Sequence, residues 1–196
     1  MSGKRIAAVI LAAGPSSRMG KPKQLLTYNG RPLLVHAAET ALASICRPVF
    51  VVLGCGADVL RPYLGDLPIQ VIDNSNWQNG MGSSISAAAR HLKQVEQPID
   101  AMLLLLVDQP LITPDLLNRM ADAYAAGHGL LIATRYNSEF GPPVLFDRQY
   151  LDELADLDGP AGAKSIIKKH RDHVLFIPFS DAQVDIDTPG DYELLR

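Results

Sequence analysis

Ile6-Ala-Ala-Val-Ile10 runs without a break into Leu11-Ala-Ala-Gly-Pro-Ser-Ser-Arg-Met-Gly-Lys-Pro-Lys-Gln-Leu-Leu26. The first stretch is apolar throughout rather than alternating, the pattern of a strand covered on both faces. The second reads as a glycine-rich basic loop at that strand's carboxyl end. Gly14 and Gly20 let the backbone turn and come close to a ligand, and Arg18, Lys21 and Lys23 set three cations among amides that can point at phosphate. A nucleotide site at the end of a central strand is the expectation.

Two commoner phosphate motifs do not fit this loop. A Walker A loop has four residues between its glycines and a hydroxyl after its lysine; here the glycines are one residue too far apart and Pro22 stands where the hydroxyl belongs. The G-x-G-x-x-G spacing of a dinucleotide site is also missing.

Working outward, apolar runs of strand length recur at 48–53, 69–72, 101–107, 130–134 and 174–177. Helical spacing occupies 32–44, 57–64, 83–95, 114–126, 148–155 and 161–170. Strand and helix alternate, which predicts an α/β fold with a mostly parallel sheet between two helical layers, a Rossmann-like three-layer sandwich. No repeat or linker divides the chain, so residues 1–196 are expected to form one domain. The stretch 135–147 breaks the alternation and is expected to be a loop or hairpin laid over the sheet edge.

With 47% hydrophobic and 20% charged residues, the 196-residue chain can bury a good core. Its formal charge of −3 supplies no overall basic field for nucleic acid; positive charge is local to 18–23, which suits a small anionic ligand. Cys46 and Cys55 have neither C-x-x-C spacing nor a histidine nearby, so reduced packing residues and a cytoplasmic location are expected. No run approaches the length of a membrane span. His36, His91, His128, His170 and His173 show no metal-ligand spacing.

Acidic residues supply the second half of the site. The run Ala101–Val107 ends in Asp108-Gln109-Pro110, delivering a carboxylate to the sheet's carboxyl edge, where ligands gather in open α/β sheets. Helix capping does not require Asp108, because Thr113-Pro114 already supplies an N-cap and a first-turn proline. A metal-ligand role follows, since hard cations bind carboxylates beside substrate phosphates. Near the C-terminus, Asp185-Ile-Asp187 reads as a strand with both carboxylates on one face. One of them is expected to join Asp108 on magnesium; Asp187 lies nearer the strand's end, but the pattern leaves the choice open. Asp191 and Glu193 are accounted for by the last helix, where Asp191 stands in a capping-box position after Thr188-Pro189.

Between these, Gly80-Met-Gly-Ser-Ser-Ile85 opens a helix with glycines and hydroxyls, which suits a nucleoside or phosphate, while N-capping by Ser83 is the structural alternative. Trp77, the sole tryptophan, is available to stack on a heterocycle or to anchor the loop.

Together with Gly141-Pro-Pro-Val-Leu-Phe146 and Asp185-Ile-Asp-Thr-Pro189, these motifs resemble the molybdenum cofactor nucleotidyltransferases over nearly the whole chain. The likeness is greatest to the cytidylyltransferase branch, whose loop reads L-A-A-G with P-K; the guanylyltransferase branch carries L-A-G-G and D-K, and Ala13 and Pro22 side with cytidine. The resemblance implies a nucleotide-diphospho-sugar transferase type of fold. By the same carry-over, Leu11, Ala12, Ala13 and Gly14 contact the nucleotide, Arg18 and Lys23 its triphosphate, Gly80, Gly82, Ser83 and Ser84 its base and ribose, and Asp108 and Asp187 hold magnesium. One departure is Gly159-Pro-Ala-Gly-Ala-Lys164, where the family often shows G-D-x-G-A-R; the missing acid leaves the acceptor-side role of this segment open.

The implied reaction is transfer of CMP from CTP to the terminal phosphate of molybdopterin, with pyrophosphate leaving. That phosphate is already ionised near neutrality, its second pKa being roughly 6, so positioning and charge neutralisation replace a general base. Arg18, Lys23 and Asp108 would be the catalytic residues. Competing readings are an NTP transferase using GTP or a sugar or polyol phosphate, and a non-catalytic protein escorting cofactor to an apo-molybdoenzyme.

Overall fold

The computed structural model describes residues 3–16, 19–160 and 162–194, so Arg18 lies outside the described residues. In chain order the elements are β1 (Ile6–Leu11), a small hairpin of β2 (Thr27–Tyr28) and β3 (Arg31–Pro32), α1 (Leu33–Ala43), β4 (Val49–Leu53), α2 (Ala57–Leu60) and β5 (Gln70–Asp73). There follow α3 (Met81–Gln94), β6 (Ala101–Leu106), α4 (Pro114–Ala125), β7 (Leu131–Tyr136), β8 (Glu139–Asp147), α5 (Leu151–Ala155), α6 (Lys164–Lys169), β9 (Val174–Pro178) and α7 (Pro189–Leu194).

Seven strands form one sheet in the order β5-β4-β1-β6-β8-β7-β9, and only β8 runs against its neighbours. β1 lies at the centre, with Ala8 opposite Val49 of β4 on one side and Leu103 of β6 on the other. Its unbroken apolar run is explained by two cores. Ile6, Ala8 and Ile10 face a core built with α1 and α4, while Ala7, Val9 and Leu11 face a second one built with α3, α5 and α6. The α/β three-layer expectation holds.

The stretch 135–147 departs from expectation. Instead of covering the sheet edge, its second half is β8, inserted between β6 and β7 and antiparallel to both. Pro142 and Pro143 disguised it, because proline cannot donate to a ladder. The register shifts here: Ala133 pairs with Val144 but Thr134 with Gly141, leaving the two prolines in a bulge. Thr134 Oγ1, fully buried, donates to the carbonyls of Gly141 and Pro142 at 2.7 and 2.9 Å and so stitches the bulge.

The segment 184–187 is a second departure, forming no strand and lying outside the sheet. It is held to β6 by Ile186 N–H donating to the Asp108 carbonyl at 3.0 Å and by burial of the Ile186 side chain. No described helix is long and apolar enough to cross a membrane.

Candidate active site

Sheet order reverses at β1: the chain moves from β1 to β4 and β5 on one side, then returns to β6 on the other. The crevice of the site lies at this reversal, outside the neighbouring carboxyl ends of β1 and β6. A cavity of about 210 Å³ occupies it, lined by Leu11–Pro15, Lys23, Gln24, Trp77, Gly80, Met81, Ser84 and Leu106–Asp108.

The loop after β1 is shaped by a residue whose role the sequence did not disclose. Gln24 is 1% exposed, and its Nε2 donates to the carbonyls of Ala12 and Gly14 at 2.9 Å each. Its Oε1 accepts from Ser16 Oγ at 3.1 Å, and Ser16 Oγ accepts from the Lys23 N–H at 2.9 Å. The intervening Ala13 carbonyl accepts from Cys55 N–H at 3.0 Å.

Lys23 projects from the start of the 3₁₀ turn Lys23–Leu25 to the carboxyl end of β6, where its ammonium bonds to Asp108 and lies 3.2 Å from Asp187 Oδ1. Burial disfavours the charged ammonium, but the two carboxylates outweigh it and hold the Lys23 pKa above its ordinary value. Asp187 owes its place to the cap of α7: Asp191 Oδ2 accepts from the N–H groups of Asp187 and Thr188 at 3.1 and 2.8 Å, while Asp191 N–H donates to Thr188 Oγ1 at 3.3 Å. That reciprocal pair is a capping box with aspartate for glutamate.

Asp108 Oδ1 is buried with no hydrogen-bond partner, an oxygen able to ligate a hard cation. No cluster of three or more His, Cys, Asp or Glu side chains arranged for a metal occurs among the described residues. Two carboxylates suit magnesium or manganese completed by substrate phosphates and water, rather than an all-protein cage. The residues present thus fit a divalent cation.

The segment 74–84 is organised by Asn74, another residue missed in the sequence. It is 5% exposed; its Nδ2 donates to Ser83 and Ser84 Oγ at 2.9 and 3.0 Å, and its Oδ1 accepts from Asn76 N–H at 3.0 Å. Of the four residues expected here to meet the nucleoside, Gly80 and Ser84 line the cavity. Gly82 and Ser83 do not. Ser83 Oγ donates to the Gly80 carbonyl at 2.8 Å rather than capping the first turn, and a Cβ on Gly82 would lie 2.8 Å from the backbone of Asp158. Trp77 both lines the cavity and anchors its loop, packing so closely on Gly54 that a Cβ there would come within 2.6 Å of Trp77 Cβ.

A second cavity of about 260 Å³ adjoins the first across Met81 and Leu106, with Gln109, Tyr136, Pro142, Lys164 and Asp185 among its lining. Asp185 and Asp187 are thereby separated: Asp187 meets Lys23 while Asp185 faces the second cavity. Although exposed as a residue, Asp185 has its carboxyl pushed up to about 6 by desolvation and by the negative charge of Asp108 and Asp187. Gln109, 5% exposed, donates from Nε2 to the Ala182 carbonyl at 2.8 Å and ties the β6 end to the segment before Asp185. Two larger, open grooves lie elsewhere, one along Asn74–Asn76 and Arg90, the other at Tyr150, Glu153 and His170. Neither touches Lys23, Asp108 or Asp187.

The geometry joins a strand-end loop, a lysine and two carboxylates at a crevice on the sheet's carboxyl edge, and comparison with known proteins agrees. Residues 8–174 match the model of the MobA-like NTP transferase domain. A relative from Paenarthrobacter nicotinovorans, named nicotine blue oxidoreductase, is 33% identical over 93% of this chain and 92% of its own length. The crystal structure of Rv0371c from Mycobacterium tuberculosis H37Rv superimposes with a TM-score of 0.82 at 30% identity, covering 100% of this chain and 98% of that one. Another structure of Rv0371c, in complex with manganese, gives a TM-score of 0.79 at 27% identity over 99% and 98% of the two chains. The chain belongs to the MobA-like NTP transferases, the molybdenum cofactor nucleotidyltransferase family that its motifs resemble.

Proposed function

We propose that this nucleotidyltransferase moves CMP from CTP to the terminal phosphate of the molybdopterin form of the molybdenum cofactor, releasing pyrophosphate. The observation that carries the reading is the convergence of Lys23 and Asp108, which line the cavity formed by Leu11–Pro15, with Asp187 on the same ammonium. The nucleotide occupies that cavity, against Ala12, Ala13, Gly14, Gly80 and Ser84, and the acceptor approaches from the second cavity beyond Met81 and Leu106. Lys23 leaves its carboxylates for the triphosphate, where a desolvated cation stabilises charge gathering on the leaving pyrophosphate. Arg18 reinforces it. Asp108 and Asp187 would hold magnesium, which supplies Lewis-acid neutralisation of the phosphates when bound. No side chain need remove a proton, since the attacking phosphate is already an anion.

Cytidine is preferred here on the strength of Ala13 and Pro22. A cytoplasmic location is part of the same reading, in keeping with the free thiols of Cys46 and Cys55. Delivery to an apo-molybdoenzyme is a compatible later step. The oxidoreductase name of the Paenarthrobacter relative is not carried over, because residues 11–23 lack the glycine spacing of a dinucleotide site.

The test is incubation of the protein with magnesium, each NTP and purified molybdenum cofactor, followed by product identification by mass. The expected result is a cytosine dinucleotide with stoichiometric pyrophosphate. A guanine dinucleotide in excess would overturn the base assignment, and no dinucleotide with any NTP would overturn the transfer itself.

A further inference from the structure

We infer that Gln24 is a positioning residue that fixes the Ala12–Gly14 backbone against which the nucleotide binds. The inference rests on the nucleotide-site reading above. A primary amide has two N–H donors, and Gln24 uses both on one short loop, at the carbonyls of Ala12 and Gly14 that flank Ala13. Two carbonyl partners on the same nitrogen fix which end of the amide is nitrogen, and Ser16 Oγ bonds the oxygen end.

The consequence follows from peptide geometry. In a trans peptide the N–H points opposite to the preceding carbonyl. Drawing the Ala12 carbonyl onto Gln24 therefore turns the Ala13 N–H the other way, and drawing the Ala13 carbonyl onto Cys55 N–H does the same for the Gly14 N–H. Ala13 and Gly14 both line the nucleotide cavity, so the peptide planes that these bonds fix are part of its wall. The Gly14 carbonyl, which would otherwise be free to swing into the same space and repel phosphate or ribose oxygens, is tied back by the second Gln24 N–H. The network also reaches the ammonium of the site: Gln24 Oε1 orders Ser16 Oγ, which accepts from the Lys23 backbone N–H. A buried glutamine kept only for packing would need none of this alignment with the loop's carbonyls.

Two variants and one measurement on the unaltered protein test it. Gln24→Glu keeps the volume and the acceptor for Ser16 but removes both donors; Gln24→Met removes donors and acceptor alike. CTP dissociation constants are read by calorimetry in the presence of magnesium, with thermal melts alongside. Losing the two donors that fix the loop should weaken CTP binding about tenfold or more in both variants and raise the CTP KM, with the acceptor KM unchanged. A purely structural glutamine would lower the melting temperature and leave the CTP affinity of the folded protein unmoved, which would overturn the inference while leaving the nucleotide site standing. Should either variant fail to fold, amide resonances of the wild type decide: those of Ala13 and Gly14 should shift on CTP addition, and resonances that stay in place while CTP binds would overturn it equally. Wild-type protein that binds no nucleotide would instead remove the reading on which the inference rests.

Discussion

Lys23 is a residue on which two opposing effects act, and their balance makes a prediction. Burial favours the neutral amine, whereas Asp108 and Asp187 favour the ammonium and prevail. Lys23→Ala should lower kcat by about a hundredfold or more, because a phosphate-directed cation is lost where charge builds up. It should also lower the melting temperature at pH 7, where two carboxylates are left without their cation. A melting curve unchanged at that pH would show that the pair contributes nothing to stability. Asp185 makes the complementary case. Its folded pKa of about 6 lies above the ordinary carboxylate value, so the folded state holds this proton more tightly than the unfolded chain does. Ionisation of Asp185 thus costs stability progressively between about pH 4 and 6 and fully above that. Asp185→Asn should melt with the wild type at pH 4 and above it at pH 7, as thermal melts across that range will record. The charged residues of the site were legible because lysine and aspartate at strand ends have few other reasons to be there. Gln24, Asn74 and Gln109 were not, since an amide's task depends on which backbone groups fold against it.

Among the elements, α3 illustrates how tertiary contact reverses a local preference. Replacing a helical glycine by alanine ordinarily stabilises by about 1 kcal/mol. At Gly82, however, the added Cβ would lie 2.8 Å from the Asp158 backbone, and Gly82 N–H already donates to the Gly159 carbonyl at 3.0 Å. Overpacking against backbone costs about 1–3 kcal/mol or more, so the clash prevails. Gly82→Ala should therefore lower the melting temperature by several degrees, and a rise would mean that the 158–160 loop yields easily. The helices with strong local signals were readable: Thr113 caps α4 by accepting from Leu116 N–H at 3.3 Å, and Thr188 with Asp191 caps α7. β8 was not, because its two prolines sit in a bulge and its pairing partners, β6 and β7, lie on both sides of it only after folding.

For the whole molecule, β1 and its neighbours contribute alternate residues to both cores, so neither helical layer can be lost without exposing the other face of the same strands. We therefore expect residues 1–196 to unfold in one cooperative transition, with calorimetric and van't Hoff enthalpies in agreement; two resolved transitions would contradict a single domain. The sequence alone determined the alternation of strand and helix, the burial of β1 and β6, and a glycine-rich basic loop and an aspartate at strand ends. Each of these is a property of local periodicity and side-chain chemistry. Only the tertiary structure decided that β8 enters the sheet, that Asp187 joins Asp108 at Lys23 while Asp185 faces the neighbouring cavity, and that Gln24 governs the loop after β1. These depend on pairings between residues far apart in the chain, down to the single hydrogen bond from Ile186 to the Asp108 carbonyl, and no local pattern specifies which distant groups will meet.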